Sequence, residues 1–292
     1  MEKEKIIKAG QIASKVKEYS KTIVKKGMPL LEIANKIENK IIELGGKSAF
    51  PTNLSINDLA AHFTPDHDDE TLAYGLIKID FGVHIDGWIA DTAFSLDLEN
   101  NEKNKKLIES SEKSLEIAQK IIKKGVTTSE IGKNIKETIE SYGFSPIINL
   151  SGHQIDQYDL HAGLTIPNID DKRNIKLNEG TYAIEPFATT GGGRVRDGKP
   201  SGIYYLMNEK NVRNPIAREV LEGIIKEYKT LPFCSRWLVK KFGTKALFGL
   251  KQLEDNGNIH QFPQLIEASH GIIAQSENTI LVEKDKITIT TK

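Results

Sequence analysis

The sequence contains a single cysteine, Cys234, so it can form neither an internal disulfide framework nor a thiolate zinc finger, and a reducing cytosol is the expected setting. It has no excess of either charge. Forty lysines and arginines meet forty aspartates and glutamates, which argues against a protein whose main task is to coat nucleic acid or an anionic membrane. No apolar run nears the roughly 18–20 residues that a membrane-spanning helix needs. Met1-Glu2-Lys3-Glu4-Lys5 leads directly into Ile6, Ile7, Ile12, Ala13 and Val16, the spacing of an amphipathic helix rather than of an export signal. Three catalytic signatures are missing as well: the G-x-S-x-G elbow, the G-x-x-x-x-G-K-[ST] loop and the H-E-x-x-H helix. What is present is an ordinary globular composition, 38% hydrophobic and 27% charged over 292 residues. That length suits two average domains, or one large core carrying a substantial insertion.

An internal repeat organises the first half. Residues 27–45, GMPLLEIANKIENKIIELG, and 125–143, GVTTSEIGKNIKETIESYG, superimpose at a constant offset of 98 (125 − 27). Glu32, Ile33, Ile37, Ile41 and Gly45 meet Glu130, Ile131, Ile135, Ile139 and Gly143. The isoleucines form one helical stripe, Thr127 with Glu130 reads as a capping box, and the closing glycines supply left-handed stops. Each segment is followed by Asn-Leu-Ser, at Asn53 and at Asn149. A period this long is too great for a solenoid and suggests two halves facing each other across a pseudo-twofold axis.

Residues 76–97, LIKIDFGVHIDGWIADTAFSLD, alternate in polarity on both sides of Asp86-Gly87, a two-residue hairpin signal. With 86 and 87 as the turn, Ile85 faces Trp88, Gly82 faces Asp91 and Asp80 faces Ala93. Asp80 and Asp91 thereby become diagonal neighbours on one face, about 7 Å apart at Cα. Ile79, Phe81, Val83, Ala90 and Phe94 fall on the other face, which can be packed. Two like charges so close call for a cation between them, although a polar hairpin face by itself is also what a soluble sheet edge shows.

Further donors lie downstream. Glu185, in Thr181-Tyr182-Ala183-Ile184-Glu185, and Glu277, in a run beginning Ile272-Ile273-Ala274-Gln275-Ser276, sit in apolar β-prone stretches, where a carboxylate must be paired, protonated or bound to a metal. His153 and His161 are expected in a glycine-containing connection, and Gly191-Gly192-Gly193 in a flexible turn that lacks the lysine of a phosphate cradle. Two aspartates, two glutamates and a histidine form an oxygen-rich set suited to a pair of divalent ions rather than to a thiolate site.

The segments Phe50-Pro51-Thr52-Asn53-Leu54-Ser55, Ala60-Ala61-His62, Lys78-Ile79-Asp80-Phe81-Gly82, Ala90-Asp91-Thr92, Gly152-His153, His161-Ala162-Gly163, Tyr182-Ala183-Ile184-Glu185 and Ala274-Gln275-Ser276-Glu277 together resemble the type 2 methionine aminopeptidases of the M24 metallopeptidases, in an archaeal-like form. The resemblance spans nearly the whole chain. It implies an α/β (α+β) pita-bread fold, two pseudo-symmetric halves around a curved, largely antiparallel sheet. Residues 1–194 with 265–292 would form the catalytic domain and 195–264 a helical insertion subdomain. It also implies two divalent ions (cobalt, manganese, iron or zinc) held by Asp80, Asp91, His153, Glu185 and Glu277, with Asp91 and Glu277 bridging. Glu185 would serve as proton shuttle, His62 as the residue contacting the scissile amide, and His161 as the residue orienting the substrate. Phe50, His62, Leu160, His161, Ile203, Pro232 and Phe262 would line the methionine pocket.

The implied activity is removal of the initiator methionine from nascent chains, preferring a small second residue. Its setting would be the cytoplasm, with methionyl peptides as partners, transient ribosome association, no membrane, no stable nucleic-acid contact and a monomeric chain. A proline-specific aminopeptidase or prolidase of the same fold is one alternative, and a non-catalytic RNA- or ribosome-binding homologue another. The basic residues Arg236, Lys240 and Lys241 read as a solvated helix face. Three positions depart from the family's usual residues: Asn278 stands where a histidine is usual, and Phe63 and Phe262 where a tyrosine is common.

Overall fold

A computed structural model describes residues 2–292. The first half runs α1 (Glu2–Ile23), α2 (Leu30–Glu43), β1 (Lys47–Ser48), β2 (Asn53–Ile56), β3 (Leu59–Ala61), β4 (Leu76–Ile85), β5 (Trp88–Asp97). The second runs α3 (Glu102–Ile121), α4 (Thr128–Ser141), β6 (Ser145–Pro146), β7 (Ser151–Ile155), β8 (Thr165–Pro167), β9 (Gly180–Ile184), β10 (Phe187–Thr189). Next come β11 (Val195–Leu206), α5 (Pro215–Glu227), β12 (Phe233–Cys234), α6 (Ser235–Phe242), α7 (Lys245–Asp255) and β13 (Ile259–Glu267). The chain closes with β14 (Ile273–Gln275), β15 (Glu277–Val282) and β16 (Ile287–Ile289).

The offset of 98 carries α2 onto α4 and β1 onto β6, residue for residue at both ends. The Asn-Leu-Ser triplets do not follow it. Asn53-Leu54-Ser55 lies inside β2, whereas Asn149 and Leu150 precede β7, so two residues separate the matching words from the matching strands. The Thr127–Glu130 capping box forms in both directions.

The main sheet orders its strands β1-β4-β5-β15-β9-β7-β8, every pairing antiparallel, with β2 on β4 and β16 on β15. The C-terminal strand β15 is therefore the seam that joins the halves. Behind β4 and β5, Ile77, Ile79, Phe81, Val83, Ala90 and Phe94 pack against Ala13, Val16, Ile33 and Ile37 of α1 and α2. Behind β9 and β15, Tyr182, Ile184, Ile280 and Val282 pack against Leu107, Leu115, Ile131 and Ile135 of α3 and α4. Each half thus covers one stretch of sheet with one helix pair, and the opposite face is left for the site.

Within 195–264 the flanks are strands rather than helices: β11 and β13 pair with each other and, with β12 and β3, form a four-stranded sheet. Helices α5 to α7 lie between them around their own core of Val220, Ile224, Phe233, Leu238 and Leu250. Arg236 does not lie on a solvated face. It is buried, donates to Glu38 at 2.7 and 2.9 Å and to Asn35, Thr64 and the Pro65 carbonyl, and so ties α6 to α2 with all five N–H groups used.

The glycine run also differs from the expected flexible turn. The Glu267 carboxylate accepts from the N–H groups of Gly193, Ser269 and Gly271 at 3.1, 2.7 and 2.9 Å. A Cβ at Gly191 would stand 2.5 Å from that carboxylate, so the loop is a packed cradle for a buried side chain. The four backbone and hydroxyl donors hold Glu267 below the usual carboxylate range despite its burial.

Candidate metal centre

The hairpin register is as the alternation requires: Asp80 pairs with Ala93 and Gly82 with Asp91. Asp86 and Gly87 take φ of 50° and 85°, the left-handed pair of a two-residue turn. From there the sheet order brings in the other donors. Pairing of β15 with β5 sets Glu277 opposite Ala93, pairing of β9 with β15 sets Ile184, just before Glu185, opposite Asn278, and pairing of β7 with β9 sets His153 opposite Ala183. Five adjacent strands thus deliver one donor each. His153 lies within β7 and is buried, not in a loop. His161 does lie in the connection that follows.

The donor atoms converge. Ligand atoms of Asp91, His153 and Glu277 all lie within 4.8 Å of one another. His153 Nε2 is 3.7 Å from Asp91 Oδ2 and 3.8 Å from Glu185 Oε1. Gln275 Nε2 donates to Asp80 Oδ2 and to Glu185 Oε2, both at 3.3 Å, joining the remaining aspartate to the group. Burial pushes Asp80 up to about 7. Burial, and then the neighbouring carboxylates, raise Asp91, Glu185 and Glu277 well above the usual range. Burial lowers His153 to about 3, so its ring is neutral.

These residues fit divalent cations. Asp80 Oδ1 and Asp91 Oδ1 are buried with no hydrogen-bond partner, an expensive arrangement unless a cation completes it. The Nδ1 edge of His153 faces the Gln154 carbonyl at 3.4 Å, which leaves the Nε2 lone pair directed at the carboxylates. Burial pushes the one thiol, Cys234, up to about 12, so it supplies no thiolate. A second grouping, Asp66, His67 and Asp68, is partly exposed and confined to one loop.

A cavity of about 310 Å³ opens above the donors. All five donors line it, together with His62, His161, Phe50, Leu160, Ile203, Pro232 and Phe262. His62 has a φ of 59°, a left-handed conformation uncommon for a side-chain-bearing residue. Its Nδ1 faces the Pro263 carbonyl at 3.2 Å and its ring packs on Phe262 at 5.2 Å. Burial holds His62 at about 4. With Nδ1–H donating, Nε2 is the free acceptor. The His161 ring meets that of His153 edge-on at 4.4 Å.

Three participants escape the sequence reading. Gln275 stands in the Ala274-Gln275-Ser276-Glu277 segment, where local pattern gives an uncharged amide no role. Thr279 shares a strand face with Glu277 by alternation; its hydroxyl accepts from the Asp91 N–H at 2.7 Å and donates to the Asp91 carbonyl at 2.8 Å. Lys17 gave no signal beyond a polar position on an amphipathic helix.

Known proteins resemble the chain along its length. The family described as metallopeptidase family M24 matches residues 4–284. A methionine aminopeptidase of Pyrococcus abyssi is 48% identical over 297 residues, with 100% of each chain covered. Among solved structures, a thermophilic Arx1 superposes with a TM-score of 0.83 at 18% identity, over 98% of this chain and 89% of its own. A methionine aminopeptidase from Thermotoga maritima does so at 0.71 and 22% identity, over 99% and 96%. At such identities the two structures speak for the fold alone.

Proposed function

The chain belongs to metallopeptidase family M24, with its pita-bread fold and the methionine aminopeptidase activity of its full-length relatives, and from that premise we propose that Asp80, Asp91, His153, Glu185 and Glu277 hold two divalent cations, shared by Asp91 and Glu277. The observation that carries this reading is the convergence of five donors, three buried and two half-buried, from or just beyond five neighbouring strands beneath one cavity. Divalent cations bound there supply Lewis acidity toward a carbonyl and make water acidic enough to attack at neutral pH.

The chain's own residues do the rest. Phe50, Leu160, Ile203, Pro232 and Phe262 form an apolar slot for an unbranched, polarizable thioether. His62 Nε2, left as an acceptor by the Nδ1 contact with Pro263, receives the N–H of the scissile amide, and His161, edge-on to His153, orients the substrate. Glu185, raised by burial among other acids, takes a proton from the attacking water and returns it to the departing amine. The preference for a small second residue comes with the resemblance. The natural substrates on this reading are nascent chains met in the cytosol by a monomer in transient contact with the ribosome. In keeping with it, among the described residues no helix is long and apolar enough to cross a membrane and Cys234 is free and buried.

We further propose 1–194 with 265–292 as the catalytic domain and 195–264 as an insertion that walls the slot, supported by the separate core of α5–α7 and by Ile203, Pro232 and Phe262 at the cavity. A proline-specific enzyme and a non-catalytic homologue are not favoured, since full-length relatives are methionine aminopeptidases. The direct test is methionine release from Met-Ala-Ser. Chelated protein should be inactive and regain activity with Mn²⁺, and activity that survives complete metal removal would end the reading.

A further inference from the structure

Lys17 projects from the sheet-facing side of α1 to the seam between β5 and β15. Its Nζ donates to Thr92 Oγ1 at 3.1 Å, to Asn278 Oδ1 at 3.2 Å and to the Glu277 carbonyl at 3.4 Å. Three donors meet three acceptors, all uncharged, so the ammonium is fully engaged without forming an ion pair.

Thr92 follows Asp91 in β5, and Asn278 follows Glu277 in β15. Successive strand side chains point to opposite faces, so these acceptors lie on the back of the two strands where the carboxylates leave the front. Backbone support for the seam there is thin. The backbone register of β5 with β15 covers only Glu277 with Ala93 and Asn278 with Thr92. Side chains complete it: Thr92 Oγ1 also donates to the Glu277 carbonyl at 2.9 Å. Asn278 is itself fixed, because Thr291 Oγ1 donates to its Oδ1 at 3.0 Å and accepts from the Thr279 N–H at 3.0 Å.

Resting on the metal-centre reading above, we propose that Lys17 is a positioning residue of that centre: its ammonium clamps the Asp91–Thr92 and Glu277–Asn278 segments from behind and so fixes the directions of the two carboxylates. It does this without occupying a carboxylate lone pair, and it places one positive charge behind the cluster of four acids. Asn278 acts as the fixed acceptor that aims it.

A lysine that only docked α1 on the sheet would affect stability and nothing else, so the test reads the metal. Lys17→Met, Lys17→Arg and, as a control on an exposed position of the same helix, Lys15→Met are stripped of metal. Each is titrated with Co²⁺ by calorimetry and by the visible absorption of the bound ion, alongside thermal unfolding. Lys17→Met is expected to bind Co²⁺ about 10- to 100-fold more weakly, the usual loss when an outer partner of a ligand is removed, with a changed visible band. Lys17→Arg should keep affinity and spectrum close to those of the parent, and Lys15→Met should match it. Parental affinity and spectrum in Lys17→Met, whatever its melting temperature, would overturn the proposal. Should that variant not fold, Asn278→Leu withdraws the aimed acceptor while leaving the lysine in place. A smaller loss in the same direction supports the clamp, and an unchanged affinity overturns it. A parent protein that binds no Co²⁺ would instead refute the metal centre itself, and the role of Lys17 with it.

Discussion

The hydroxyl of Thr279 sits between the N–H and the carbonyl of Asp91, accepting from the first at 2.7 Å and donating to the second at 2.8 Å. Four residues along the same strand β5, Ser95 Oγ does the same for Gln275 of β14, donating to its carbonyl at 2.8 Å and accepting from its N–H at 2.9 Å. Where the backbone ladder between β5 and the C-terminal strands is interrupted, hydroxyls take its place. Asp91 gains a fixed backbone, and the two halves of the molecule gain a join beside the proposed metal centre.

Thr279→Val keeps the shape and removes the hydroxyl, leaving a buried N–H and a buried carbonyl of Asp91 without partners. Such groups cost about 1–3 kcal/mol each, so urea unfolding should show a loss of that order, while Thr279→Ser stays near the parent. Equal stability of the valine and serine variants would show that the hydroxyl does not hold the seam.

Asp91→Asn preserves volume and the backbone contacts to Thr279 but removes a charge from the donor set. Methionine release should fall below detection with an unchanged circular dichroism spectrum. Turnover near that of the parent would remove Asp91 from the list of ligands.

Phe262→Ala opens the slot where the Phe262 ring packs, tilted, against His62 at 5.2 Å and Tyr205 at 4.8 Å between centroids. Steady-state kinetics on methionyl peptides should show a raised KM. An unchanged KM would mean that Phe262 lines the cavity without touching the substrate.

Acidity gives a further check. Asp80 lies at about 7, and Asp91, Glu185 and Glu277 lie well above their usual values. Their folded-state values exceed the unfolded ones, so the metal-free fold binds more protons in between and loses stability as the pH rises from about 4 through 7. His62 and His84, lowered to about 4 by burial, act in the other sense: their contribution is present above about 6.5 and lost toward 4. The rise in melting temperature on adding Mn²⁺ should therefore be larger at pH 7.5 than at pH 5.5, because binding displaces protons from the acids. A rise independent of pH would contradict this.

Local pattern made much of this legible. The Asp86-Gly87 turn determines the pairing of Gly82 with Asp91, and the isoleucine stripes align α2 with α4. What stayed hidden depends on contacts distant in sequence. His153 looked like a loop residue because β7 is short and finds its partner, β9, nearly thirty residues on. Arg236 looked solvated because its partner Glu38 belongs to α2. The glycine run looked loose because the carboxylate it wraps, Glu267, ends a later strand. The contacts of Lys17 and Thr279 follow from the place of β15 between β5 and β9, and those of Gln275 from the pairing of β14 with β10, which no periodicity within a single strand conveys.

The most direct test of the central claim is anomalous diffraction from a crystal soaked in Mn²⁺. Two peaks are expected beneath the cavity, with Asp91 and Glu277 reaching both, Asp80 on one side, and His153 and Glu185 on the other. A single peak, or ions out of reach of Glu277, would contradict it.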